Sequence, residues 1–152
     1  GSGKTTLADI IKKKIKKKII HIDGDAIRKI YSDKLGYTLK SREINAERIS
    51  KLVKFLSEQN FDIIVSVLSN YPKWLNWNKK NLKDYYLVYL KTDMKILIKR
   101  KKKLYSQKKN IVGKDIKFNE PLNPNYVIQN CDSLNKLKKE TNNILKEIEY
   151  FG

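Results

Sequence analysis

Gly1-Ser2-Gly3-Lys4-Thr5-Thr6 heads the chain, followed by Leu7, Ile10, Ile11 and Ile15 at helical spacing with lysines opposite. A glycine-rich turn entering an amphipathic helix over 5–17 is the second half of a phosphate-binding loop, G-x-x-x-x-G-K-[ST]. Each part has a physical task. The glycines let backbone N–H groups turn toward phosphate oxygens. The helix adds the positive end of its dipole. Lys4 reaches the β- and γ-phosphates of a nucleoside triphosphate, and the Thr5 hydroxyl ligates Mg²⁺. Gly1, Ser2, Gly3, Lys4, Thr5 and Thr6 are therefore the candidate ATP-binding residues. The first glycine of the pattern falls before Gly1, and so does the strand that normally feeds the loop. The expectation is a fragment lacking about ten N-terminal residues, one strand and the start of the loop.

Outward from the loop, strand and helix signals alternate. Ile19-Ile20-His21-Ile22 reads as a buried strand ending at Asp23-Gly24-Asp25. Short and long helices are expected over 26–31 and 42–59. Phe61 to Leu68 is β-branched and nearly all apolar, as in a strand covered on both faces. A helix over 73–82 follows Pro72, then a strand from Tyr85 to Leu90, a helix over 93–104, a short strand at Tyr126-Val127-Ile128 and a helix over 133–150. In the last helix Leu134, Leu137, Ile144, Leu145 and Ile148 are expected to face inward. The alternation predicts an α/β fold, a parallel sheet with helices on both faces in three layers. No repeat, linker or Pro-rich stretch divides the chain, so residues 1–152 are expected to form a single domain.

The acidic turn sits where ligands bind in open α/β sheets, at the carboxyl end of a strand. Two carboxylates there can hold Mg²⁺ through water or accept a proton from an attacking hydroxyl. The plain alternative is an Asx-turn in which Asp25 caps the helix after it. Arg28 follows one turn later, and Arg42, Asn45 and Arg48 are spaced along one helix face. Arginines clustered near a phosphate loop suit a second, anionic substrate. The alternative is surface pairing with Glu43 and Glu47.

Composition bounds the rest. The 152 residues carry 34 basic and 16 acidic side chains, a net charge of +18. Only four of the basic residues are arginine, the better fork for phosphate and bases. With isoleucine and asparagine also abundant, the lysine excess reads as solvated surface, and nucleic acid is not the expected partner. A non-catalytic basic nucleic-acid-binding module is the alternative of another class, and it requires the lysines to form one stripe. The single cysteine, Cys131, excludes an internal disulfide. No apolar run reaches the length of a membrane span, so a cytoplasmic protein is expected. His21, mid-strand, reads as a core histidine. Trp74 and Trp77, one turn apart, read as packing.

The ordered set of motifs resembles adenylylsulfate kinase (APS kinase), a P-loop family. The resemblance rests on GSGKTT, on Asp23-Gly24-Asp25-Ala26-Ile27-Arg28, and on Leu35-Gly36-Tyr37-Thr38. It continues through Ser41-Arg42 with Asn45-Ala46-Glu47-Arg48, Ser66-Val67-Leu68-Ser69, and Asn110-Ile111-Val112-Gly113-Lys114-Asp115-Ile116 with Phe118, Glu120 and Pro121. It implies transfer of the γ-phosphate of MgATP to the 3′-hydroxyl of adenosine 5′-phosphosulfate, as in sulfate assimilation. By that resemblance Asp23 is the base or hydroxyl-orienting carboxylate and, with Thr5, serves the metal. Asp25 supports it; Arg28, Arg42 and Asn45 bind the phosphosulfate. Tyr37 stands for a phenylalanine that stacks on the adenine, and Ile111 for a second aromatic, leaving only apolar contact on that face. Ser69 serves near the acceptor or carries a phosphate. Residues 99–118 form a lid from which Arg100 touches ATP, and Lys99 and Lys101–Lys103 enter it.

The sequence departs from the family at Arg100-Lys101-Lys102-Lys103-Leu104-Tyr105, which lacks the usual Asp and Gly, and the stretch to Asn110 is about five residues short. Ala26 replaces a frequent asparagine, and Glu43-Ile44 replace polar residues. Relatives encoded in surface-polysaccharide loci phosphorylate other nucleotide-linked acceptors such as cytidine diphosphoramidate, and this is the alternative acceptor class. The expected partners are a small-molecule nucleotide and, as an assembly left open, a second copy of the chain in a homodimer.

Overall fold

The computed structural model describes residues 1–31, 35–68, 71–102, 106, 111–112, 115–117, 119–131 and 133–148. Two compact units emerge, one from Gly1–Ile15 with Tyr86–Gly152, the other from Lys16–Tyr85.

In the first unit, α1 (Lys4–Lys14) leaves the loop at Gly3, whose φ of 93° is in the left-handed region that glycine tolerates. Lys12, Lys13 and Lys14 occupy its last turn, where cations complement the dipole. Strands β3 (Val88–Lys91) and β4 (Tyr126–Gln129) pair in parallel, Val88 opposite Tyr126 and Lys91 opposite Gln129. Between them in sequence lies α5 (Met94–Arg100), its first turn capped by Asp93, and after them α6 (Leu134–Glu147), capped by Ser133. Leu7 and Ile10 of α1, Leu90, Ile128 and Leu137 form the core, with Ile11, Val88 and Ile144 against it.

The second unit pairs β1 (Ile19–Asp23) with β2 (Asp62–Ser66) in parallel, Ile19 opposite Asp62 and Asp23 opposite Ser66. The crossover runs through α2 (Gly24–Ile30) and α3 (Leu39–Glu58), and α4 (Pro72–Asn81) follows β2 with Pro72 in its first turn. Thr38 caps α3 through Ser41 N–H at 3.2 Å. Ile22, Ile27, Ile49 and Val53 are its core, flanked by Ile20, Leu52, Leu56, Ile63, Val67 and Leu82.

Parallel strands joined through helices bear out the α/β class. Several expected boundaries move. The first helix ends at Lys14 because Ile15 is already extended, at φ −89° and ψ 120°. The long apolar run contracts to β2: Phe61 lies outside it, and Val65 is 36% exposed rather than covered. Strand β3 starts at Val88, because Leu87 N–H donates to the Asn125 side chain at 2.8 Å. The helix expected over 93–104 is regular to Arg100. Leu134, expected inward, is 52% exposed. His21 is satisfied by a 2.9 Å hydrogen bond with the buried Ser66 hydroxyl, but it is partly buried rather than in the core. Trp74 is buried with the Trp77 ring 5.9 Å away, a packing pair. No helix among the described residues is long and apolar enough to cross a membrane.

Candidate active site

The phosphate loop is held from three directions. Lys4 Nζ donates to Ser2 Oγ at 3.2 Å, curling the ammonium back over the loop. Arg100, at the end of α5, donates to the Gly1 carbonyl at 3.4 Å and to the Asn130 carbonyl at 3.2 Å. The Asn130 side chain donates to the Ser2 carbonyl at 2.6 Å. Lys4 and Arg100 thus set two cationic side chains on one short loop, the field an anionic ligand seeks. Thr5 and Thr6 stand exposed on the first turn of α1. Of the expected ATP-binding residues, Gly1, Ser2, Lys4 and Arg100 are joined in one network, with Gly3 as its left-handed hinge.

Ile111 lies in the same unit and is buried. It anchors a turn in which Asp115 accepts from Ile111 N–H at 3.0 Å and donates its own N–H to the Ile111 carbonyl at 2.8 Å. Ser69 and the lid residues 103–105, 107–110, 113–114 and 118 lie outside the described residues.

The acidic turn corrects one expectation. Asp23, not Asp25, caps the helix: its Oδ1 accepts from Asp25 N–H at 2.9 Å and Ala26 N–H at 3.2 Å. Its second oxygen carries no bond to a described residue. Asp25 points outward, with Arg28 Nε 3.9 Å from its carboxylate. Gly24 is buried, and a Cβ there would stand 2.9 Å from Val67, so the turn is pressed against the residue after β2. Asn45, expected to bind substrate, is 2% exposed and donates to the Gly24 carbonyl at 3.0 Å, which braces the turn, while its Oδ1 meets no partner among the described residues.

Among the described residues no ion pair joins Arg28 or Arg42 to Glu43 or Glu47; Glu47 takes Lys51 at 2.6 Å. The two arginines converge on Tyr37 instead, their guanidinium carbons 4.8 Å and 5.5 Å from its ring centroid. Arg28 also donates to the Gly36 carbonyl at 2.6 Å and Arg42 to the Tyr37 carbonyl at 2.9 Å. Burial first, and next the Arg28 charge, lower the Arg42 pKa. Two like charges gathered on one aromatic ring suit a polyanionic ligand. Arg48 belongs elsewhere, 4.1 Å over the Tyr31 ring. Asn130 was missed by the motifs. The one available signal was its place just past a strand end, the ligand edge of a parallel sheet.

The family model for adenylylsulphate kinase matches residues 1–129. The cytidine diphosphoramidate kinase of Campylobacter jejuni is 35% identical, over 97% of this chain and 91% of its own length. A probable adenylyl-sulfate kinase of Archaeoglobus fulgidus is 31% identical, over 84% of this chain and 88% of its own. The solved APS kinase of Mycobacterium tuberculosis, in complex with AMPPNP and APS, superposes with a TM-score of 0.80. It covers 98% of this chain and 92% of its own at 22% identity, which speaks for the P-loop kinase fold. With that model spanning most of the chain and relatives above 30% identity matched over most of their length, the chain belongs to the adenylylsulfate kinase family, phosphotransferases with hydroxyl acceptors.

Proposed function

We propose that this protein transfers the γ-phosphate of MgATP to a hydroxyl of a nucleotide that carries a second anionic group. The observation that carries the reading is the Arg28–Tyr37–Arg42 group: an exposed tyrosine that gathers two guanidinium groups over its ring, cations for a phosphoryl or sulfuryl group. In this reading the Gly1–Thr6 loop and Lys4 hold the ATP phosphates, and Arg100 supports the loop. Asp23 orients the acceptor hydroxyl and receives its proton on the oxygen that the helix cap leaves open. Asp25 keeps Arg28 in place, and Asn45 holds the turn that presents Asp23. Such transfer needs mainly positioning and charge neutralisation.

The donor set fits Mg²⁺. Among the described residues no three His, Cys, Asp or Glu side chains gather as a metal cage. By the family resemblance Thr5 would offer a hydroxyl and Asp23 a carboxylate oxygen, and Mg²⁺ typically takes one or two protein ligands, completing its shell with phosphate and water. When bound, it would neutralise charge on the β- and γ-phosphates.

Two acceptors fit the chemistry. Adenosine 5′-phosphosulfate, phosphorylated at its 3′-hydroxyl, is the acceptor that the family name gives and would place the protein in sulfate activation. Cytidine diphosphoramidate is favoured by the Campylobacter jejuni relative, matched over nearly its whole length. The test offers γ-labelled ATP with each acceptor in parallel. Label on adenosine 5′-phosphosulfate alone supports the first. Label on the cytidine compound alone excludes it and leaves the kinase reading intact. Label on neither, with ATP bound, counts against both acceptors.

A further inference from the structure

Asn130 sits one residue past β4, 7% exposed, with its backbone N–H and carbonyl and its side-chain Nδ2 engaged within its own unit. Its backbone N–H donates to the Lys91 carbonyl at 2.8 Å, at the end of β3. Its carbonyl accepts from Arg100 at 3.2 Å. Its side-chain amide donates to the Ser2 carbonyl at 2.6 Å, while Ser2 Oγ takes Lys4. The amide also closes the space beside Gly3: a Cβ there would collide with Asn130 Nδ2.

The consequence follows from the peptide plane. In a trans peptide the carbonyl of one residue and the N–H of the next point in opposite directions. A donor that holds the Ser2 carbonyl on one side therefore aims the Gly3 N–H to the other. A phosphate loop works only if its N–H groups aim inward and its carbonyls find partners outside. Asn130, fixed at both strand ends, is such a partner.

We propose that Asn130 is the positioning residue of the phosphate loop: by pinning the Ser2 carbonyl it presets the Gly3 N–H for a nucleotide phosphate. The proposal rests on the reading of Gly1–Thr6 as an ATP site. Pre-set geometry removes an ordering cost at binding, so its loss appears in nucleotide affinity.

The test compares the protein with Asn130→Ala, Asn130→Asp and Lys4→Ala. It measures the ATP Kd, the KM for whichever of the two acceptors is labelled, and the melting temperature. Asn130→Asp keeps the size but replaces the donor with an acceptor, and it decides the matter if the alanine variant does not fold. Both variants are expected to raise the ATP Kd about tenfold, ~1.4 kcal/mol, with the acceptor KM within about twofold. An ATP Kd within about twofold of the parent, while Lys4→Ala loses binding, overturns the proposal and leaves the nucleotide site standing. The ATP Kd and the acceptor KM rising together, in step with a falling melting temperature, marks general loosening and also overturns it. A parent protein that binds ATP no better than Lys4→Ala overturns the nucleotide site and the proposal together.

Discussion

Asn130 Nδ2 occupies the space in which a Cβ on Gly3 would stand. Alanine at position 3 therefore meets two penalties: the left-handed backbone, about 1–2 kcal/mol for a residue with a Cβ, and the collision. Asn130→Ala removes only the second. The ATP affinity lost through Gly3→Ala should be smaller in the Asn130→Ala background than in the parent, with a coupling of at least about 0.5 kcal/mol. ATP Kd values for the four proteins measure it, and strict additivity would contradict the geometry.

Lys4 donates to Ser2 Oγ at 3.2 Å, a contact that phosphate oxygens would compete for. Lys4→Ala should lower kcat/KM for ATP by about 10²-fold, about 2.7 kcal/mol of transition-state stabilisation. The acceptor KM should be little changed. Steady-state kinetics with each substrate varied separately checks this. Full activity in the variant would remove Lys4 from the ATP site.

Arg42 reaches its ligand face through Tyr37, so its loss should be felt at the acceptor. Arg42→Ala is expected to raise the acceptor KM about tenfold, the cost of losing one charge-assisted contact, with the ATP KM within about twofold. Although burial and Arg28 lower its pKa, an arginine remains charged across the assay range, so the effect should persist from pH 6 to 9. An ATP KM that rises equally would place Arg42 at the donor site instead.

The fold was legible where local chemistry and burial agree. The β-branched runs at 19–22 and 62–65 became parallel strands, and Asp23-Gly24-Asp25 became a strand-end turn. It was less legible where long-range partners decide. Nothing local says that Leu87 gives its N–H to Asn125 and so delays β3, or that Leu134 faces water although its helical phase matches Leu137. The site behaved alike. GSGKTT and the arginines announce themselves by residue type and spacing. Asn130 is an ordinary residue whose role comes from the strand pairing that carries it to Ser2. Asn45 is a second case: residue type suggested ligand contact, and only the fold shows its bond to the Gly24 carbonyl.

In the proposed mechanism Asp23 has two tasks on different oxygens, and two substitutions separate them. Asp23→Asn keeps a carbonyl oxygen for the N–H groups of Asp25 and Ala26, and asparagine caps helices about as well as aspartate. The melting temperature should hardly move, while the proton acceptor and the metal-binding charge are gone. Turnover should fall by at least about 10²-fold. Asp23→Ala removes the cap as well, costing about 1 kcal/mol of stability, several degrees of melting temperature in a chain this size. Thermal melts and kcat for both variants check the split. Turnover near the parent value in Asp23→Asn would confine Asp23 to capping α2 and move proton acceptance to another group.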